Sequence, residues 1–298
     1  MKLTLLVWCV FAVSLFGDDS SSKSPFPAAT PAAEEAVKPS VEKAKEPGIQ
    51  DNSFLVEEAY NQEFGVVQHI SGFQRMWQSK VWVYTFTQEW PVDFAPRNQL
   101  SYTVPMFSPE GVRGGIGDVA LNYRYQLYGN GDTRTAFSPR FTLLLPTGDE
   151  KLGRGAGGYG YQVALPLSFV VNRRLVTHWN AGFTATPSQK NDAGEKASTW
   201  GYNVGQSVVW TARPNFNVLV ESVFCSVEDV TGPGQSSRNK SIYVSPGVRW
   251  AYNFKNGMQI VPGIAMPIGV GPSRGETGVF LYFSIEHPYR RLTSSARN

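Results

Sequence analysis

The sequence predicts an all-β chain, a single antiparallel up-and-down transmembrane β-barrel of about 12 strands. Three observations carry that prediction. Residues 118–128 alternate strictly: Val119, Leu121, Tyr123, Tyr125 and Leu127 are apolar, while Asp118, Asn122, Arg124 and Gln126 are polar. Successive side chains of a strand point to opposite faces, so this stretch has one greasy face and one wet face. The pattern recurs about a dozen times between residues 60 and 287, and the connections between repeats alternate between short and long. The chain opens with a secretion signal.

The N-terminal elements come first. Lys2 followed by an apolar run from Leu3 to Phe16 reads as a signal peptide over residues 1–17. The run is shorter than the ~20 residues a helix needs to cross a bilayer. Trp8 before Cys9 is too bulky for a lipoprotein processing site. Residues 18–52 are rich in Ser, Pro, Ala, Glu and Lys and cannot bury a core, so they read as a disordered periplasmic linker. Residues 53–62 read as a short helical or plug segment, with one or two helical turns expected over 54–62. The barrel itself is expected over 63–287, with a tail over 288–298.

Twelve strands are expected over residues 63–72, 80–90, 98–106, 117–128, 135–146, 160–172, 175–186, 200–212, 215–227, 241–253, 258–269 and 277–287. The eighth is among the cleanest. Trp200, Tyr202, Val204, Val208 and Trp210 share one face, and Gly201, Asn203, Gly205, Ser207 and Thr211 the other. The short connections are 129–134, 172–174, 213–214 and 254–257, with 91–97 somewhat longer. The longer ones are 107–116, 147–159, 187–199, 228–240 and 270–276, with 73–79 the shortest of that set. Short periplasmic turns and long outer loops in strict alternation describe an outer-membrane barrel of the Gram-negative type, and an even strand count puts both termini on the periplasmic side. Strands of ~10–13 residues suit a tilted span better than the ~5–6 of globular sheets.

Aromatic residues mark the expected membrane boundaries. Trp200 and Trp210 lie on one face ten residues apart, which at ~3.3 Å per residue and a tilt of about 45° separates them by ~23 Å along the normal. That matches an apolar band of ~25 Å between aromatic girdles. Trp90 and Trp250 fall near periplasmic strand ends and complete the candidate girdle. Pro139, Pro166, Pro246 and Pro262 lie inside expected strands. Each removes a ladder hydrogen bond, so bulges are expected there.

The chemistry-bearing residues exclude several functions. The formal charge of +3, falling to +2 once Lys2 leaves, and the scattered Lys and Arg give no nucleic-acid surface. Gly153, Gly155 and Gly158 spell G-x-G-x-x-G, but a strand follows where a dinucleotide site needs a helix, so they read as a flexible outer loop. His69, His178 and His287 are far apart with no ligand partners at metal spacing, and no serine has a nucleophile-elbow context. Neither catalysis nor a metal nor a cofactor is expected. Cys225 is the one cysteine left after signal removal and reads as an unpaired, packed side chain.

By parity the wet face turns inward. The candidate pore-lining residues are Glu89, Asn122, Arg124, Arg140, His178, Asn203, Glu221, Arg249 and Glu286, with Gln99, Ser101 and Gln162 on the same face. Luminal charges tune which solutes pass. The alternative is that Arg and Glu pair across the interior and fill it. Twelve strands lie between the eight that side chains fill and the sixteen that leave an open channel.

An ordered set of motifs adds a resemblance. Gly115-Ile116-Gly117-Asp118 and the strand after it, then Leu144-Leu145-Pro146-Thr147-Gly148-Asp149, then the Gly-rich 153–160 before another strand, resemble the MetA-pathway phenol degradation family of outer-membrane β-barrel transporters, over roughly residues 60–287. The resemblance implies about twelve strands, location in the outer membrane and passive uptake of small, aromatic or apolar compounds, with no catalytic residues. The expected partners are outer-membrane lipids, the barrel-assembly machinery and small solutes. Gly278-x-x-Leu281-x-Phe283 resembles an assembly signal within the last strand. The alternative is a non-conducting structural or adhesive barrel, and a third reading is a barrel enzyme acting on lipid.

Overall fold

A computed structural model describes Ile49 and residues 51–289. The expected signal peptide, all but the end of the expected linker and most of the tail lie outside these residues. The described chain forms one closed antiparallel barrel of twelve crossings. They are β1 (Val66–Met76), β2 (Trp82–Pro91), β3 (Asn98–Ser108) and β4 (Gly115–Ile116 with Val119–Tyr125). Next come β5 (Thr135–Phe137 with Arg140–Leu145), β6 (Gly160–Ala164 with Leu167–Asn172), β7 (Leu175–Lys190) and β8 (Lys196–Arg213). The last four are β9 (Phe216–Gly232), β10 (Gln235–Trp250 with Tyr252–Asn253), β11 (Gln259–Ala265 with Ile268–Val270) and β12 (Gly278–Pro288). Each pairs with its neighbours in sequence, and β1 closes on β12 from Val66↔Pro288 to Met76↔Gly278. Closure leaves no exposed edge along the sheet.

The expected alternation of faces is present. Leu121, Val204 and Val220 point outward and are 45%, 47% and 44% exposed, while Asn122, Gly205 and Glu221 beside them are buried. Exposed apolar side chains recur on β3 through β9, β11 and β12. So large a contiguous apolar surface requires a non-aqueous neighbour.

Two expectations about connections are corrected. Residues 187–199 and 228–240 are not long loops, because β7 to β10 continue through them for 16 to 18 residues each. Asparagine and Gly194 close the first hairpin over 191–195, with Gly194 at φ 80°. The second closes on Gly232-Pro233-Gly234-Gln235, with Gly234 at φ 65°. Proline followed by a positive-φ glycine is a two-residue turn signal that permits the strands to run to its edge.

The four prolines fall where the ladder is interrupted. Pro139 and Pro166 separate the two halves of β5 and β6, and their carbonyls accept from Tyr125 N (3.0 Å) and Ser138 N (3.1 Å). Pro246 faces the break in β11, where Met266 N donates to its carbonyl at 2.9 Å, and Pro262 faces the bulge at Ala251. The missing N–H of each proline thus costs no ladder bond.

The barrel interior holds a chain segment. Ile49 and residues 51–62 run up into the half of the lumen nearest the short turns and return to β1. Ile49 and Phe54 pack with Val209, Leu219, Val261, Phe280 and Tyr282. The segment forms bends and no helix, contrary to the expected helical turns. Its amides donate to side chains of the wall instead of to carbonyls one turn back. The linker boundary also moves, since Ile49 and Asp51, expected outside the barrel, are 1% and 0% exposed within it.

An outward position near mid-strand should tolerate charge poorly. Leu121→Arg or Val204→Arg is expected to lower barrel stability by about 2–4 kcal/mol at the centre of a bilayer, measured by denaturant unfolding in lipid vesicles. The exposed Leu127, beyond the end of β4, is expected to accept Arg at about 0–1 kcal/mol.

Candidate functional site

The site is the contact between the inner wall and the segment 49–62. Its root is Arg249 on β10, fully buried. Nη1 donates to the carbonyls of Asp51 (2.6 Å) and Asn52, and Nη2 to that of Ile49 (3.2 Å). A guanidinium carries five donors in a rigid fork, and this one ties three carbonyls of a non-helical turn. Asp51 is held on its other side by Gln68 Nε2 (2.7 Å), Tyr282 Oη (2.6 Å) and Ser284 Oγ (2.5 Å).

One turn further in, Glu221 on β9 receives three consecutive amides. Phe54 N, Leu55 N and Val56 N reach Oε1 at 3.0, 2.9 and 3.0 Å. Successive amides curled around one oxygen make an anion-binding nest. Phe54 lies against Phe280 and Tyr282 with ring centroids at 5.7 and 5.3 Å. The wall is hollowed to admit it. A Cβ on Gly247 or Gly263 would come within 2.6 or 2.5 Å of the Phe54 ring.

At the innermost point Glu57 forms two ion pairs. Its Oε2 meets Arg124 Nη2 and its Oε1 meets Arg140 Nη2, both at 2.7 Å. Asn180 exchanges two bonds with the Glu57 backbone, accepting from N (2.8 Å) and donating to O (2.9 Å). Arg140 also donates to Asn122 (2.8 Å) and Gln162 (3.3 Å), and Arg124 to the Tyr60 carbonyl (3.1 Å). On the way back Ala59 N donates to Ser168 Oγ (2.8 Å), which bonds His178 Nδ1 (2.7 Å). Asn61 N and Gln62 N donate to Gln126 (3.0 Å) and Gln99 (2.7 Å).

Of the sequence-derived inward residues, Glu89, Asn122, Arg124, Arg140, His178, Glu221 and Arg249 are buried on the inner face, and Asn203 and Glu286 are half-buried there. Glu89 accepts from Gln99 Nε2 at 2.6 Å. The alternative of Arg–Glu pairing across the wall gives way to bonds with the segment. Arg124 and Arg140 pair with Glu57, Arg249 takes backbone carbonyls, and Glu221 takes backbone amides. Trp90, Trp200, Trp210 and Trp250 lie on the outer face, and Arg238 lies over the Trp200 ring at 3.7 Å. Cys225, expected as a packed side chain, is buried beside Val56 and Val223. Sequence reasoning missed Asp51, Glu57, Gln68 and Ser168, while Asn180 was placed on the inner face with His178. Their signal was available in Gly205, Gly247 and Gly263, three inward glycines on β8, β10 and β11 that make room for the segment's side chains.

The motif residues of the opposite end come together as well. Thr147 Oγ1 donates to the Gly117 carbonyl (2.8 Å) and accepts from Val119 N (2.9 Å). The Asp118 carboxyl accepts from Gly148 N (2.9 Å) and Ala156 N (2.7 Å). The Gly-rich stretch expected as a flexible loop is therefore pinned to the start of β4.

Residues 44–281 match the model of the family described as the MetA-pathway of phenol degradation. The chain belongs to this family. Among solved structures, an outer membrane channel from Pseudomonas putida F1 is similar at a TM-score of 0.58 and 11% identity, covering 77% of this chain and 97% of that one. The NanC porin aligns at a TM-score of 0.48 and 9% identity, covering 74% of this chain and 98% of its own. No curated protein matches in sequence. At these identities the first structure supports the fold alone, a closed antiparallel β-barrel. The family match spans both the segment 49–62 and most of the wall that binds it.

Two measurements probe the seat. Glu221→Ala leaves three buried amides without their acceptor, at about 1–3 kcal/mol per group, so amides 54–56 are expected to exchange hydrogen at least tenfold faster while those of β9 and β10 stay protected. The second concerns pH. Burial pushes the Glu57 carboxyl up, and the Arg140 and Arg124 guanidiniums more than offset this, holding it below its ordinary value of 4.5. The ion pairs therefore contribute fully above pH 4.5 and are lost as pH falls through the lower folded-state value. Pepsin is expected to spare the Phe54–Leu55 bond near pH 4.5 and to cut it progressively as the pH drops, whereas Glu57→Gln shows no such dependence.

Proposed function

We propose that the protein is an outer-membrane channel for passive entry of small molecules, closed in the present state by its own segment 49–62. One observation carries this reading. The wall's inward side chains close around a chain segment in the lumen, and the wall recedes at Gly247 and Gly263 to receive it. A barrel meant only to be solid fills its interior from the strands. Here removal of one peptide of about a dozen residues leaves a passage lined by Asn122, Arg124, Arg140, His178, Asn203, Glu221, Arg249, Glu89 and Glu286. The family match and the similarity to a channel barrel support the same reading. The outward apolar belt, bounded by Trp90, Trp210 and Trp250 near the short turns and Trp200 toward the long hairpins, fits a lipid bilayer with aromatic girdles.

Transport needs neither cofactor nor energy input: solute diffuses once the segment has left, and Arg124, Arg140 and Arg249 set an anion-attracting field with Glu221 and Glu286 opposing it. The family description and the apolar surfaces of the segment's seat favour small aromatic compounds as cargo. The Ser168–His178 pair is engaged by the segment, Ser168 Oγ accepting from Ala59 N while it bonds His178 Nδ1.

In planar bilayers the wild-type protein is expected to conduct rarely. The double variant Arg249→Ala, Glu221→Ala, which releases the root and the nest, is expected to conduct steadily, and adding Arg140→Glu to it should shift the reversal potential toward cation preference. A released variant that refolds and still passes no current would favour the structural or adhesive barrel.

A further inference from the structure

We propose that Arg124 and Arg140 form a binding site for the carboxylate of a small aromatic acid, and that Glu57 occupies this site as an internal competitor. The proposal rests on the channel reading above and names its cargo class. The two guanidiniums each take a different oxygen of one carboxyl group at 2.7 Å, which is the arrangement a free carboxylate would need. Arg140 is oriented independently of Glu57, whereas Arg124 has the Tyr60 carbonyl of the segment as its other partner. Asn122 and Gln162 accept from Arg140, and Thr142 Oγ1 donates to the same Asn122 oxygen at 2.7 Å, fixing it. Arg140 thus keeps its place on the wall when Glu57 leaves, and Arg124, its cross-strand neighbour, is left to a new carboxylate.

The surroundings supply the second half of the ligand's chemistry. A cavity adjoins the ion pairs, lined by Leu55, Ala164, Asn180, Asn203 and Val223 beside Glu57 and Arg140. Its lining is apolar on one side and amide-bearing on the other. With the segment seated it admits little more than a water. A ring can enter only as Leu55 and Glu57 withdraw, so ligand and segment exclude each other. Two buried arginines left without an anion would be costly, because a desolvated charge with its partner removed is strongly destabilising. Glu57 cannot leave cheaply into an empty lumen, whereas exchange for another carboxylate keeps both guanidiniums neutralised. The ligand therefore lowers the cost of opening through its differential affinity for the open state. A neutral phenol of the same size lacks the group that replaces Glu57.

The test is conductance of the full-length protein in planar bilayers with benzoate, benzyl alcohol or acetate added on the periplasmic side. Benzoate at millimolar concentration is expected to raise the open probability of wild type at least tenfold, with benzyl alcohol inactive and acetate weaker than benzoate. Glu57→Gln is expected to open without benzoate, and Arg140→Ala to lose the response. Equal effects of benzoate and benzyl alcohol, or no effect of either on wild type while the Arg249→Ala, Glu221→Ala variant conducts, overturn the carboxylate site and leave the channel reading intact. Silence of that released variant instead overturns the channel reading. Because variants at Arg140 can misfold, heat-modifiable gel mobility identifies folded barrels, and binding of benzoate to wild type and Glu57→Gln is measured by calorimetry. Tighter binding to Glu57→Gln is expected, and equal or absent binding contradicts competition.

Discussion

The structure depends on satisfying charged and polar groups in an enclosed lumen. Arg124, Arg140, Arg249 and Glu221 all project inward from the wall and are buried. Isolated buried charges cost several kcal/mol each. They are spaced around the barrel on β4, β5, β9 and β10, and none of the ion pairs formed among the described residues joins one of these arginines to Glu221. One irregular peptide solves all four positions at once, offering carbonyls to Arg249, amides to Glu221 and a carboxylate to the other two. A helix would have consumed those backbone groups internally, which is the physical reason that the segment is bent and not helical.

Packing reinforces this pairing from the apolar side. Phe54 enters where two glycines withdraw the wall, and it joins Phe280 and Tyr282 on β12, the strand next to Gly263. The polar contacts fix the segment's path and the apolar ones its depth. The same contacts make its seat reversible, because the barrel ladders close without it. β1 pairs with β12 over eleven residues, and the segment takes no part in the sheet. Departure of the segment breaks bonds between plug and wall while leaving the wall whole.

Much of this was legible in the sequence, and the limits have physical causes. Strand count, order and facing followed from period-two alternation, which survives in β4 and β8 because their apolar face turns outward and their polar face turns to the lumen. Prolines at 139, 166, 246 and 262 marked ladder breaks, since a missing N–H has to fall where no partner exists. Hairpin length did not follow: Ser, Thr and Arg residues in 228–240 read as loop, although strands that stand clear of an apolar surroundings need no greasy face. Parity found Arg124, Arg140 and Glu221 but not their partners, because Glu57 belongs to a segment with no periodicity to orient it. The family motifs at 115–118 and 146–149 were recognisable, and their role is now visible as a staple between the β3–β4 and β5–β6 connections.

The central claim is that the segment seated in the lumen is what closes the barrel. Ser53 Oγ and Ser207 Oγ lie 2.7 Å apart, one on the segment and one on β8. Cysteines at both positions, in the background released at Arg249 and Glu221, would lock or free the segment by redox state alone. The account predicts a silent barrel after oxidation and a conducting one after reduction, in the same membrane. Equal current in both states would contradict it.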